Sequence, residues 1–124
     1  DGNRPSGNNL IDLFAYLIRK YGRMDTSEYA RIMQLKTSEL RGAILAIGGM
    51  SAMEWRNRYL LLEAQELMER TDMSITEIAA KLGFSQPSVF SKFFRTLTKS
   101  QPWEWRIEKK KPGSNRKRTY HCYE

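Results

Sequence analysis

The chain has almost no cysteine or histidine, the residues that make disulfides and most zinc centres. Its one cysteine, Cys122, and one histidine, His121, stand side by side near the end, and no CxxC or zinc-type Cys/His spacing occurs. An internal disulfide framework is thereby excluded. Two adjacent ligands without a third make a poor metal site, so no metal, cofactor or catalytic residue is expected there. No Ser/His/Asp set, phosphate-cradling glycine loop or paired-carboxylate site appears either, and the chain reads as a non-enzyme. No run of about 18 apolar residues exists to cross a membrane. The polar start, Asp1 to Asn9, lacks the charged-then-apolar order of an export signal. A reducing, cytoplasmic setting fits these absences. The alternating, β-branched runs of a sheet are missing too.

What remains is 124 residues, enough for one modest compact body, with 21 Lys and Arg against 14 Asp and Glu. The net charge of +7 and pI of about 9.7 favour a polyanionic partner, nucleic acid before an anionic membrane. That excess is uneven. Arg106 to Glu124 carries a net +5 and the rest of the chain only +2, so the partner must be argued from motifs. Beginning at Asp1 rather than at a methionine, the chain also reads as a trimmed piece or an excised domain, with a partner domain elsewhere.

Apolar residues recur at three- and four-residue steps, and the reading is all-α, with about seven helices. Residues 1–8 are expected to be a leader. Leu10, Leu13, Phe14, Leu17, Ile18 and Tyr21 make one stripe that Gly22 ends. Asp25 with Glu28 predicts a capped short helix through Met33. Gln34 and Leu35 then turn into a helix from about Thr37 to Ile47, which closes a first unit over 9–50. Ser51 with Glu54 is a capping box opening a long connector over 51–71, with Leu60, Ala64, Leu67 and Met68 inward. Ser74 with Glu77 repeats the box for a short helix ended by Gly83. Ser85 is the expected cap of the next helix, whose first turn holds Pro87 and whose core side is Phe90, Phe94 and Leu97. A last helix near Pro102 completes a second unit over 72–108. The segment 109–124 reads as a basic tail able to add nonspecific phosphate contacts.

Two blocks repeat about fifty residues apart. Glu28-Tyr29-Ala30 answers Glu77-Ile78-Ala79, and Met53-Glu54-Trp55-Arg56 answers Trp103-Glu104-Trp105-Arg106 with an offset one residue larger. Tandem copies of one supersecondary unit follow, with a one-residue difference between the two recognition segments. In the later copy, small Ala79 permits a close helix crossing and Gly83 permits a left-handed turn, the requirements of a helix-turn-helix. The exposed side of its second helix then carries Gln86, Ser88, Ser91, Lys92 and Arg95, suited to base edges and phosphates. An ordinary solvated helix surface is the alternative. Trp55, Trp103 and Trp105 are assigned to the core of their units, as are Met50, Met53, Met68 and Met73.

From Ser51 to Arg106 the chain resembles the AraC-type family of bacterial transcription factors, whose DNA-binding domain joins two helix-turn-helix units by a long helix. The resemblance rests on Ser74-Ile75, Glu77-Ile78-Ala79, Leu82-Gly83-Phe84-Ser85, Phe90-Ser91-Lys92-Phe93-Phe94 and Pro102 with Glu104-Trp105-Arg106. A fainter likeness extends back through Leu10. It implies base-reading or backbone roles for Gln86, Pro87, Ser88, Ser91 and Lys92, with Ser85 at the helix entrance and Arg95 on phosphate. Pro87 offers only apolar contact, for example to a thymine methyl. In the first unit, Gln34 replaces the usual turn glycine and Gly42 stands where the family often presents arginine. Lys36, Thr37, Ser38 and Arg41 keep the expected surface, so this unit is expected to grip phosphate while the second reads sequence. A connector of about twenty residues spans roughly 30 Å, close to one DNA turn of about 34 Å, which implies entry into successive major grooves. Double-stranded DNA is the implied partner and RNA polymerase a further one, with no membrane. A protein-interaction module that has lost DNA recognition is the rival reading, which Gln34, Gly42 and the low charge of the body favour.

Overall fold

The computed structural model describes residues 7–110, and among them it holds seven helices and no strand. They are α1 (Gly7–Tyr21), α2 (Thr26–Ile32), α3 (Thr37–Gly48), α4 (Ala52–Arg70), α5 (Ile75–Lys81), α6 (Pro87–Thr98) and α7 (Pro102–Lys110). Two boundaries differ from expectation. α1 starts inside the expected leader, and α7 carries Lys109 and Lys110 of the expected tail. Lys109 Nζ lies 6.0 Å from the centre of the Trp105 ring one turn earlier, an attraction that favours continuing the helix. The rest of the leader and tail, with His121 and Cys122, lies outside the described residues.

The chain divides into two compact units between Leu60 and Leu61, inside α4. In the first, α2 and α1 both pack on α3 around buried Phe14, Ile18, Tyr29, Leu40 and Ile44. The Phe14 ring meets Tyr29 edge-on at 5.2 Å and Trp55 at 5.5 Å. In the second, α6 packs on α5 and α7 around Leu61, Met68, Ile78, Phe90, Phe94 and Trp105. Phe84 meets Phe90 at 5.2 Å and Phe93 at 4.9 Å.

The two units are copies at the level of single hydrogen bonds. In the first, Met33 N–H donates to Tyr29 O (2.9 Å), Gln34 N–H to Arg31 O (3.1 Å) and Leu35 N–H to Ala30 O (2.9 Å). In the second, Leu82, Gly83 and Phe84 donate to Ile78, Ala80 and Ala79 at 3.0, 3.1 and 3.0 Å. Buried Ala30 and Ala79 sit at matching places, as the close crossing requires. The copies then slip by one residue. α3 and α6 are both 12 residues long, so the added residue is in the turn, which runs from Met33 to Lys36 in one unit and from Leu82 to Gln86 in the other. Neither α3 nor α6 is lengthened.

Capping follows the sequence at Ser74 and Ser51 and departs from it at Asp25 and Ser85. Ser74 Oγ accepts from Glu77 N–H at 3.0 Å while the Glu77 carboxylate accepts from Ser74 N–H at 2.8 Å, a complete capping box. Ser51 Oγ accepts from Glu54 N–H at 3.1 Å. Asp25 holds the N-cap position of α2 but its side chain makes no capping bond. Glu28 is instead drawn to Arg31, one turn on. Ser85 does not cap α6. The added turn residue makes Gln86 the N-cap, again without a side-chain bond, and Pro87 occupies N1, where no donor is needed.

Candidate nucleic-acid interface

The turn residues fix how each recognition helix leaves its partner. Gly83 has φ +87°, the left-handed conformation that a glycine adopts freely. Gln34, at the same place in the first unit, is also left-handed with φ +63°. At the far ends of α3 and α6 the residue types are exchanged: Gly49 closes α3 at φ +74° and Lys99 closes α6 at φ +67°. At these two places, the turn before the second helix and the end of that helix, each unit has one glycine and one side-chain-bearing residue in left-handed backbone, in opposite order.

On α6 the core is filled by Phe90, Phe94 and Leu97, which turns Pro87, Ser88, Lys92 and Arg95 outward, with Ser91 half-buried beside them. Ser85 and Gln86 are exposed at the helix entrance, and Ser88 Oγ donates to Gln86 Oε1 at 3.4 Å. The expected residues of the second unit therefore lie together, along the helix start and one outward strip. α6 has no carboxylate of its own, and among the described residues neither Lys92 nor Arg95 is held in an ion pair. A strip of hydroxyls and free cations without acid attracts phosphate and offers donors to base edges.

On α3, Leu40 and Ile44 face inward, while Ser38 and Arg41 are exposed and Thr37 is half-buried. Lys36 is exposed at the N-cap, its N–H donating to the Glu39 carboxylate at 2.8 Å. The four expected residues of this unit thus cluster in the first turn and a half. Gly42 is exposed, and a Cβ built on it would meet nothing within 4 Å. Beyond it Leu45 is 58% exposed, a feature the sequence reading did not single out. Its signal was present: Leu40 and Ile44 already complete the inward stripe, and Leu45 falls about 100° round from Ile44.

Two arginines of the repeated Trp-Arg pair are structural. Arg56 is buried, its Nη1 donating to Met24 O at 2.7 Å and its Nε and Nη2 to Asn57 Oδ1 at 3.2 and 2.9 Å. Arg106 donates from Nε to Met68 O at 3.0 Å and from Nη2 to Thr71 O at 2.7 Å. Each thus fastens the start of its helix to the chain leading into its own helix-turn-helix. Burial lowers the Arg56 pKa from its ordinary value, an effect that the neighbouring Tyr29 opposes. Tyr29 donates its hydroxyl to Gly22 O and accepts from Met24 N–H at 3.0 Å, and burial pushes its phenol up.

The core assignment of the tryptophans needs correction. Trp105 is 2% exposed against Phe94, and Trp55 is half-buried, stacked at 5.7 Å on Tyr59. Trp103, however, is 57% exposed, and Met53, its counterpart in the first unit, is 58% exposed. The reason is angular. Residues two apart on a helix point about 200° apart, so Trp103 and Trp105 cannot share one inward face. Met68 is buried, and Met50 and Met73 are half-buried.

Comparison with known proteins places this arrangement. A family model described as a helix-turn-helix domain matches residues 29–107, more than half of the chain. The Regulatory protein PocR of Salmonella typhimurium is 41% identical over 58 residues, which cover 47% of this chain and 19% of PocR. The DNA-binding domain of AdpA, a global transcriptional factor solved in complex with a target DNA, superposes with a TM-score of 0.72. It shares 23% identity over 85% of this chain and 92% of its own. A transcriptional regulator from Chromobacterium violaceum, of the AraC-type DNA-binding domain-containing proteins, matches with a TM-score of 0.70 and 23% identity over 86% of this chain and 93% of its own.

Proposed function

The chain belongs to the AraC-type helix-turn-helix family, and from that membership we propose that it binds double-stranded DNA sequence-selectively as a module of a bacterial transcription regulator. The observation that carries the proposal is the outward strip of α6. Ser88, Lys92 and Arg95 are turned away from the core on the second helix of a helix-turn-helix, with Ser91 half-buried beside them and no carboxylate on that helix. Gln86 and Ser88 read base edges, Pro87 makes apolar contact, Ser85 and Ser91 contribute hydroxyls, and Lys92 and Arg95 hold the duplex. Lys36, Thr37, Ser38 and Arg41 engage backbone phosphate near the start of α3. The same reading has the two recognition helices entering successive major grooves of the duplex. No catalytic step belongs to this function.

The chain spans 19% of the length of PocR, so activity beyond DNA binding is a matter of proposal. The same reading gives RNA polymerase as a protein partner, a sensor or dimerisation domain as the source of regulation, and a cytoplasmic setting. No described helix is long and apolar enough to cross a membrane.

The test is a fluorescence-anisotropy titration against duplexes selected from random sequence. Lys92→Ala should weaken all duplexes alike and reduce the slope of log affinity against log salt by about one. Ser88→Ala should change the preferred site. Undiminished affinity with unchanged preference in both variants would overturn the proposal.

A further inference from the structure

The outward side of α3 is chemically unlike that of α6. Position for position, Ser38 answers Ser88, Arg41 answers Ser91, Gly42 answers Lys92 and Leu45 answers Arg95. Where the second unit offers two cations, the first offers a hydrogen atom and an isobutyl group. Neither is explained by packing. A Cβ on Gly42 meets nothing within 4 Å, and Leu45 is more than half exposed while Leu40 and Ile44 fill the core. Glycine is among the poorest helix formers, and an exposed leucine gains nothing from water.

The surroundings are apolar with one cation. Leu45 and Arg41 line a cleft of about 390 Å³ together with Thr26, Ser51, Ala52 and Met53. The one carboxylate of α3, Glu39, is engaged with the Lys36 N–H. Among the base-pair groups exposed in a major groove, the apolar one is the thymine 5-methyl. An apolar group on the outward side of a recognition helix therefore has one chemical complement in DNA.

On the reading that this chain binds duplex DNA, we infer that α3 is a thymine reader: Leu45 contacts a thymine 5-methyl, and the missing side chain at Gly42 lets the helix backbone approach the base edges closely. Arg41 holds the adjacent phosphate. The first unit thus contributes specificity through methyl contact, beyond gripping the backbone, and Leu45 is its specificity-determining residue.

The experiment replaces each thymine of a selected duplex in turn by deoxyuridine, which pairs identically and lacks the methyl. Wild-type binding should fall about fourfold at one or two positions, the equivalent of burying one methyl group. Leu45→Ala changes an exposed side chain and leaves the fold intact. It should bind the thymine duplex about fourfold more weakly and no longer distinguish deoxyuridine at those positions. Gly42→Leu should likewise lose the discrimination, while Lys92→Ala keeps it. A wild type that binds but is indifferent to every deoxyuridine, or a discrimination that survives in Leu45→Ala, overturns the inference and leaves DNA binding standing. A wild type that binds no selected duplex overturns the DNA reading and the inference with it.

Discussion

Exchanging the two turn residues, Gln34→Gly and Gly83→Gln, tests whether the units are energetically equivalent copies. Both residues donate N–H to a carbonyl three residues back at 3.1 Å, so the exchange leaves the hydrogen bonding alone. Both are exposed, so it leaves packing alone. Only backbone conformation differs. A side-chain-bearing residue in left-handed backbone costs about 1–2 kcal/mol relative to glycine. Glycine's greater freedom in the unfolded chain returns about 0.4–1 kcal/mol of that. Gln34→Gly should therefore stabilise the first unit by about 0.5–1 kcal/mol. Gly83→Gln should destabilise the second by slightly more, because φ +87° lies further from the left-handed minimum than φ +63°. With a urea slope of about 2 kcal/mol/M, each change moves the midpoint by about 0.4 M, in opposite directions. Urea titrations followed by fluorescence, with either Trp55 or Trp105 retained as the sole tryptophan, report each unit separately. Two shifts of the same sign would refute the account. So would Gln34→Gly lowering stability, which would mean that the glutamine side chain contributes something its exposure does not suggest.

Three further outcomes follow from other groups. Burial raises the Tyr29 phenol above its usual 10.0, so its contribution is complete below pH 10 and lost as pH rises through the folded value. Tyr29→Phe should cost about 1–2 kcal/mol at neutral pH yet lose less stability than wild type as pH rises above the usual phenol value, measured by denaturation at each pH. Gln65 is 1% exposed with Oε1 and Nε2 lacking a partner among the described residues, and Gln65→Leu should raise stability by about 1–2 kcal/mol in calorimetry. A loss of similar size would contradict that. Ser74→Ala should cost about 1 kcal/mol and Asp25→Ala less than about 0.5, because only Ser74 makes the capping bond. Equal losses in the two would rule out the capping explanation.

Much of the fold was legible because helix periodicity, small Ala79, Gly83 and the Ser74–Glu77 box all express local constraints that leave a local trace. The misses have other causes. Asp25 and Glu28 have the spacing of a capping pair, but Arg31 competes for the carboxylate, and spacing does not rank competitors. Trp103 and Met53 were placed inside by residue type, although position two residues from Trp105 and Trp55 turns them outward. The anchoring of Arg56 and Arg106 spans 32 and 35 residues to Met24 O and Thr71 O, a distance over which sequence pattern carries no information. The outward strip on α6 was readable from amphipathicity, but an ordinary solvated helix surface has the same pattern, and only the family resemblance gave the strip a role. The apolar side of α3 was not readable, because one glycine and one leucine are faint against a background of ordinary surface.

The location of the added residue bears on how such a domain changes over time. A residue inserted within α6 would rotate everything after it by about 100° and carry Lys92 and Arg95 off their face. Inserted in the preceding turn, it leaves the angular phase of the helix untouched. The two recognition segments therefore remain interchangeable cassettes of 12 residues. Their outward letters can be rewritten or transplanted one at a time while the scaffold tolerates variation in the turn, so drift in loop length and drift in DNA preference are uncoupled.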